Sequence, residues 1–249
     1  MSRAVRCLAA SGGALLGLTV LVIVGWLRPL DRAIAPFLFY DTPAWVLQLS
    51  TVATLVFSAQ LSLLWAVGLA IHWARGRRAV LGLAMVGVLG VLLGVEVIAK
   101  ELIDQPEPSA VLSLDRSDFK EVNVPAPLDL YLALPNSYPS GHATRVGYFV
   151  LLLMAVGRPR AASRFRGLVP VTLAALGVAP ALLSWHWISD IVGGLLLGAT
   201  GACFLAVLRD RLHRSQRRMS PSDERPAPSP GSQDGGRARR TADGPSCNG

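Results

Sequence analysis

Residues 79–103, AVLGLAMVGVLGVLLGVEVIAKELI, decide the fold. The run is apolar on every side and carries no charge before Glu96. A helix of ~20 such residues crosses the hydrocarbon of a bilayer, and a soluble amphipathic helix would show a polar stripe that is missing here. Comparable stretches recur. Six candidate spans follow, at roughly 8–27, 50–72, 79–103, 142–157, 167–185 and 189–208. The fourth and fifth are short, and Pro170 and Pro180 interrupt the fifth. Of 249 residues, 52% are hydrophobic and mean hydropathy is +0.45, too apolar for a soluble domain of this size. The expected fold class is all-α: a six-transmembrane helix bundle.

Charge supports counting the two short segments as spans. Arg3 and Arg6 precede the first segment, and Arg75, Arg77 and Arg78 follow the second. Arg158, Arg160, Arg164 and Arg166 follow the fourth, and Arg209, Arg211, Arg214, Arg217 and Arg218 follow the sixth. Arginine clusters thus fall on alternate connections, which the positive-inside rule assigns to the cytoplasm, as it does both termini. The connections at 28–49, 104–141 and 186–188 then face outward, the longest carrying Asp104, Glu107, Asp115, Asp118, Glu121 and Asp129. The net charge of +8 is mostly anchoring to the inner leaflet, and no nucleic-acid partner is expected. The expected organisation is an N-terminal span with its outer loop (1–49), a transmembrane core (50–208) and a disordered basic cytoplasmic tail (209–249), rich in Pro, Ser, Gly and Arg.

The first segment has a second reading, as a signal peptide cleaved near Ala33-Ile34-Ala35, although its apolar stretch exceeds a typical signal core. Cys7, Cys203 and Cys247 all fall at or behind the cytoplasmic side, so no structural disulfide is expected.

The chemistry-bearing residues gather at the outer level. Tyr138-Pro139-Ser140-Gly141-His142-Ala143 opens the fourth span, and His186-Trp187-Ile188-Ser189-Asp190 lies between the fifth and sixth. These two motifs use half of the chain's four histidines. Ser140 is a good N-cap, and the N–H groups of Gly141, His142 and Ala143 would form an anion site at a helix start. An ordinary capped helix start explains that triplet equally well. His186 and Asp190, four apart, would share a helical face, the carboxylate holding one ring nitrogen and leaving the other as nucleophile or base. Alternatively they are a polar interface pair flanked by the belt aromatics Trp185 and Trp187. Lys100 ends the third span at the same level, where its ordinary reading is a snorkelling lysine paired with Glu96. Gly194-x-x-x-Gly198 reads as a helix-packing motif.

Lys100 through Pro108, then Ser140-Gly141-His142, then His186-x-x-x-Asp190, resemble the three ordered motifs of the type-2 phosphatidic acid phosphatase family, which also includes vanadium haloperoxidases. The resemblance covers roughly residues 50–208 and is closest to the membrane lipid-phosphatase branch. It implies His186 as the nucleophile that forms a phosphohistidine, Asp190 as its orienting group, and His142 as the acid that protonates the leaving oxygen. Lys100, Ser140 and the Gly141 amide would bind phosphate, with no metal and no cofactor. The implied substrate is a lipid phosphate, phosphatidic acid-like or a prenyl diphosphate, held at headgroup depth while its tails stay in the bilayer.

The first and third motifs depart from the family pattern. Glu107 stands where an arginine usually precedes the final proline, Gln105 where another often stands, and Ala179-Pro180 where Ser-Arg is usual. A carboxylate about 5 Å from a phosphate charge would repel it by ~3 kcal/mol at an effective dielectric of about 20 unless it turned away. Arg145, on the face of His142, is a candidate replacement cation, or else pairs with Glu107 or another loop acid. Arg116 and Lys120 are further candidates with no spacing argument behind them. Three functions remain open: a lipid phosphatase, a catalytically degenerate relative that binds anionic lipid or a protein partner, and a small transporter using Glu96 and Lys100. The sequence does not specify the headgroup or the oligomeric state. In intact cells, a cysteine at Ser113 should react with a membrane-impermeant thiol reagent and one at Ser163 should not; the opposite labelling would invert the proposed orientation.

Overall fold

The computed structural model describes residues 1–75, 79–112, 136–156 and 167–219. Among them the regular elements are all helices: α1 (Arg3–Ile23), α2 (Arg28–Tyr40), α3 (Ala44–Val56), α4 (Ala59–Arg75), α5 (Ala79–Leu102), α6 (Pro108–Val111), α7 (Gly141–Val156), α8 (Leu168–Leu182) and α9 (Ile188–Met219). Arg77, Arg78, Arg158, Arg160, Arg164, Arg166, the acids Asp115, Asp118, Glu121 and Asp129, the candidates Arg116 and Lys120, and residues 220–249 lie outside the described residues.

Three of these helices are long and apolar enough to cross a membrane: α1, α5 and the Ile188–Leu212 part of α9. The bent pair α3 and α4 makes a fourth if it counts as one span. Among the described residues this is an all-helical membrane protein with three to four candidate spans of full length, and α7 (16 residues) and α8 (15 residues) are the short segments anticipated from the sequence. Inside the bundle, 50% of the α9 span is buried against 11% of the α1 span, so α9 is central and α1 peripheral. Large apolar side chains such as Leu16, Trp26, Leu64, Trp65, Leu83 and Val91 face outward, as the periphery of a lipid-solvated bundle requires.

Four helices share the main core. Ala66 of α4, Leu81, Met85, Leu89 and Leu92 of α5, Tyr148, Phe149 and Leu152 of α7, and Leu197, Ala202 and Leu205 of α9 pack together. The buried Tyr148 hydroxyl donates to the Met85 carbonyl at 2.8 Å, so this polar group carries no unpaired penalty in an apolar interior. Glycines let α9 approach the start of α7 closely. A Cβ at Gly194 would fall on the Ser140 carbonyl, and one at Gly198 on the Thr144 carbonyl, as the packing motif anticipates.

Four features differ from the sequence reading. The 28–49 connection contains a helix, α2, started by Pro29 in its first turn and by Asp31 near the positive end of its dipole. The expected second span is broken at Phe57–Ser58 and bent by 52°. The Phe57 carbonyl, released at that break, accepts a hydrogen bond from Arg145 Nε at 2.6 Å. Helix α9 runs past Arg209 to Met219, into the segment expected to lack structure, because arginine, leucine and glutamine propagate a helix already begun and the first proline comes at Pro221. Cys7 and Cys203 form a disulfide, against the expectation of none. That expectation rested on redox compartment alone. The packing of α1 on α9, where Gly12 faces Thr200 and the two cysteine Cα atoms lie 6.0 Å apart, had no signature in the sequence.

Residues Met1–Leu212 form one compact unit. Gly198→Ala should force α7 and α9 apart and cost about 1–3 kcal/mol. Thermal denaturation in detergent should show a lower midpoint for that variant and none of the loss for Gly68→Ala, whose Cβ would meet nothing within 4 Å.

Candidate active site

The two histidine motifs meet where α7 and α9 begin. Ser140 caps α7, its Oγ accepting the Ala143 N–H at 3.4 Å, while the Ser140 N–H donates to the Asp190 carbonyl at 3.1 Å. The preceding Tyr138–Pro139 peptide is cis. Tyr138 is wedged between α1 and α9: its ring lies on Gly193, and its hydroxyl is 2.8 Å from Thr19 Oγ1. Because Thr19 already donates to Leu15, Tyr138 is the donor in that contact.

His186 lies just before α9 rather than on it. The turn leading to it places Ser184 at φ 58°, a left-handed conformation that costs a non-glycine residue about 1–3 kcal/mol. The turn is held by the Trp185 N–H on the Pro180 carbonyl at 3.1 Å and by the Ser109 N–H on the Ser184 carbonyl at 3.3 Å. The indole of Trp187 donates to the Pro106 carbonyl at 2.7 Å. Asp190, fully buried, occupies the third position of α9 and accepts the Trp187 N–H at 2.9 Å, half of a capping box. The same Oδ2 lies 3.5 Å from His186 Nδ1. That contact is long and poorly aligned for a hydrogen bond, and Nδ1 makes no other. Of the two ring nitrogens, Nδ1 is the one beside the carboxylate, without a hydrogen bond to it, and Nε2 is left for chemistry.

Residues beyond the expected set complete this arrangement. Gln105 Nε2 donates to Asp190 Oδ1 at 2.9 Å and to Ser189 Oγ at 3.0 Å. Asp31, from α2, takes the Ser189 N–H on Oδ1 at 3.0 Å and the Ser189 hydroxyl on Oδ2 at 2.6 Å. A carboxylate from a distant segment thereby caps the start of α9. Asn136 bridges the same region, with Nδ2 on the Lys100 carbonyl at 2.9 Å and Oδ1 on the Gln105 N–H at 3.0 Å. Neither Asp31 nor Asn136 was picked out by sequence reasoning. For Asp31 the available signal was its place in the first turn after Pro29, a helix start within a segment read as a loop.

Lys100, Arg145 and Glu96 form a second cluster. Lys100 Nζ lies 3.4 Å from Glu96 Oε1, and Arg145 Nη1 lies 3.2 Å from Glu96 Oε2. Arg145 therefore pairs with an acid of α5 rather than with Glu107. His142 hydrogen-bonds the Thr54 backbone and lies within electrostatic reach of Arg145, His186 and Lys100. Its ring centroid is 6.1 Å from that of Trp185. Glu107 caps the short α6 and accepts the Ser109 hydroxyl at 3.4 Å, while Ala179 and Pro180 are buried in α8. A cavity of about 150 Å³, lined by Arg28, Arg32, Asp104, Gln105 and Trp187, opens beside the network.

Two histidines, a buried carboxylate, the buried Arg145 and the partly buried Lys100 thus gather around the helix starts of an all-helical bundle. The chain belongs to the PAP2 superfamily, whose family model matches residues 75–214. Its fold is similar to that of the first transmembrane PAP2-type phosphatidylglycerolphosphate phosphatase from Bacillus subtilis, with a TM-score of 0.63 and 20% identity over 82% of this chain and 96% of that one. No curated protein matches the chain.

Burial pushes the Asp31 carboxyl above its ordinary range, the Ser189 hydrogen bonds pull it down, and the Asp190 charge raises it further. A carboxyl raised in the folded state favours its protonated form there. Stability should therefore fall as pH rises from the ordinary value of 3.8 through the raised one. Thermal midpoints of detergent-solubilised protein between about pH 4 and 7 should show that decline, and Asp31→Asn should flatten it; an equal slope in both would remove Asp31 as its source.

Proposed function

We propose that this protein is an integral-membrane phosphatase that removes phosphate from a lipid phosphate at the outer membrane face. The observation that carries the reading is the setting of His186, with Nδ1 turned to a carboxylate that Gln105 and the Trp187 N–H hold from two sides. Membership of the PAP2 superfamily supports a phosphatase, and the activity named for the structurally similar Bacillus protein supports a lipid phosphate as substrate. In this reading the six segments span the membrane with both termini cytoplasmic, and the broken α3–α4 pair and the short α7 and α8 provide the remaining crossings.

The chemistry proceeds in two steps. His186 Nε2 attacks phosphorus, the bond from phosphorus to the lipid oxygen breaks, and His142 gives its proton to the departing alcohol or phosphate. Water then attacks the phosphohistidine, transferring a proton to His142, and the P–N bond breaks to release phosphate and restore His186. Asp190 stabilises the positive charge that develops on the imidazole. Lys100, Ser140, the Gly141 amide and Arg145 would hold the phosphate oxygens, with Arg145 as the cation standing in for the family arginines absent at Gln105, Glu107 and Pro180. Glu107 faces Ser109, an orientation that reduces the repulsion its charge would impose on the substrate.

Purified protein should release phosphate from at least one of phosphatidic acid, phosphatidylglycerol phosphate and a prenyl diphosphate. His186→Ala should reduce turnover to background, and His142→Ala should slow it by about 10²–10⁴-fold. Asp190→Asn should lower kcat with a smaller change in KM. Equal phosphate release by wild type and His186→Ala would overturn the phosphohistidine route.

A further inference from the structure

Glu96 has no step in that chemistry, yet its carboxylate sits at the centre of the proposed phosphate seat. It is 9% exposed, with Oε1 toward Lys100 and Oε2 toward Arg145, itself only 5% exposed. It also lies against the first residue of α7, so closely that a Cβ at Gly141 would fall on the carboxylate itself. Gly141 is thus needed for an anion to approach the backbone, and the anion found there belongs to the protein. Lys100, Gly141 and Arg145 are the groups assigned to the substrate phosphate, and Glu96 engages all three.

We propose that Glu96 is a resident anion that the substrate must displace, and that it thereby selects phosphomonoesters over phosphodiesters. The inference rests on the phosphate-binding roles proposed for Lys100, Gly141 and Arg145. The Glu96 carboxylate carries one negative charge, as does a phosphodiester. A diester exchanging for Glu96 gains no charge on the two cations, and it must also be desolvated. A phosphomonoester carries about −1.5 to −2 at pH 7 and offers three terminal oxygens, so it outcompetes the carboxylate for the same donors. The bilayer around the site is made largely of phosphodiester headgroups, and this exchange keeps them from occupying it. Glu96 is accordingly a specificity-determining residue. Replacing it with neutral glutamine leaves Lys100 and Arg145 without their counter-ion and opens the seat to either anion.

The test uses the full chain in detergent at pH 8, with methyl phosphate and dimethyl phosphate as soluble probes and thermal shift as the readout of binding. Wild type should bind methyl phosphate at least about tenfold more tightly than dimethyl phosphate, the scale of one charge-assisted hydrogen bond. Glu96→Gln should have a lower midpoint without ligand, bind dimethyl phosphate about tenfold more tightly than wild type does, and so lose most of the preference. The same monoester preference in wild type and Glu96→Gln would overturn the proposal, as would weaker binding of both probes by the variant. Should Glu96→Gln not fold, carbodiimide labelling of wild type decides. Methyl phosphate should raise modification of Glu96 and dimethyl phosphate should not; protection by methyl phosphate would overturn displacement. Hydrolysis of phosphatidic acid, phosphatidylglycerol phosphate and a prenyl diphosphate is measured in parallel. Selective binding without turnover would sink the phosphatase reading and leave Glu96 as the selector, whereas turnover with unchanged preference would sink only the role of Glu96.

Discussion

The close approach of α9 to the start of α7 is the constraint on which the rest of the site depends. Two helix starts are hard to bring together, since each presents unpaired N–H groups and the same sign of dipole. Here the approach is sterically possible because Gly194 and Gly198 present no side chain to the Ser140 and Thr144 carbonyls. It is electrostatically possible because acids and carbonyls meet the unpaired donors. Asp190 accepts the Trp187 N–H, Asp31 accepts the Ser189 N–H, and the Asp190 carbonyl accepts the Ser140 N–H. The same contacts that permit the packing thereby set His186 and His142 at one level. Removing any one acceptor leaves a buried donor unpaired, at about 1–3 kcal/mol, and disturbs the geometry of the site as well as stability.

Two polar networks share this level and differ in kind. Around Asp190 the partners are neutral donors, the Gln105 amide and the Trp187 N–H, while the Ser189 hydroxyl accepts from the same amide and donates to Asp31. Around Glu96 they are full cations. Neutral donors fix a carboxylate without cancelling its charge, which leaves that charge to act on the facing imidazole. Cations cancel it, so Glu96 is a counter-ion, whereas the role proposed for Asp190 is that of an orienting group. The bend at Phe57 belongs to the second network, since the carbonyl released there holds Arg145 Nε while Nη1 reaches Glu96.

The sequence carried the parts of this structure that depend on local composition and spacing. Runs of apolar residues gave α1, α5 and α9, because burial in lipid needs nothing from the rest of the chain. The cap at Ser140 and the pairs Glu96–Lys100 and His186–Asp190 were legible because each joins residues within four positions of one another. Contacts between distant segments were not. Asp31 reaches Ser189 across 158 positions, Gln105 reaches Asp190 across 85, and Cys7 meets Cys203 across 196. No periodicity encodes such meetings. The Phe57 break was hidden for another reason: residues 50–72 carry no Asp, Glu, Lys or Arg and stay apolar on average, and hydropathy is blind to a bend whose freed carbonyl is met by a side chain arriving from α7.

Gln105 shows why the departures from the family pattern are not simple losses. Its amide donates to Ser189 and Asp190 together, at 3.0 and 2.9 Å. An arginine in that place would bring a full charge within reach of Asp190 and compete with the imidazole for it. Glutamine holds the carboxylate in position and leaves its charge directed at His186. In the proposed phosphate seat the cations are Lys100 and Arg145, both paired with Glu96, so the pattern of charges is shifted from the 105–107 segment toward α5 and α7. With fewer cations and one resident anion, the seat has a smaller positive surplus than one clamped by additional arginines. If the site is the lipid phosphatase proposed above, it depends more on the charge its ligand brings, which a terminal phosphate supplies more fully than a diester.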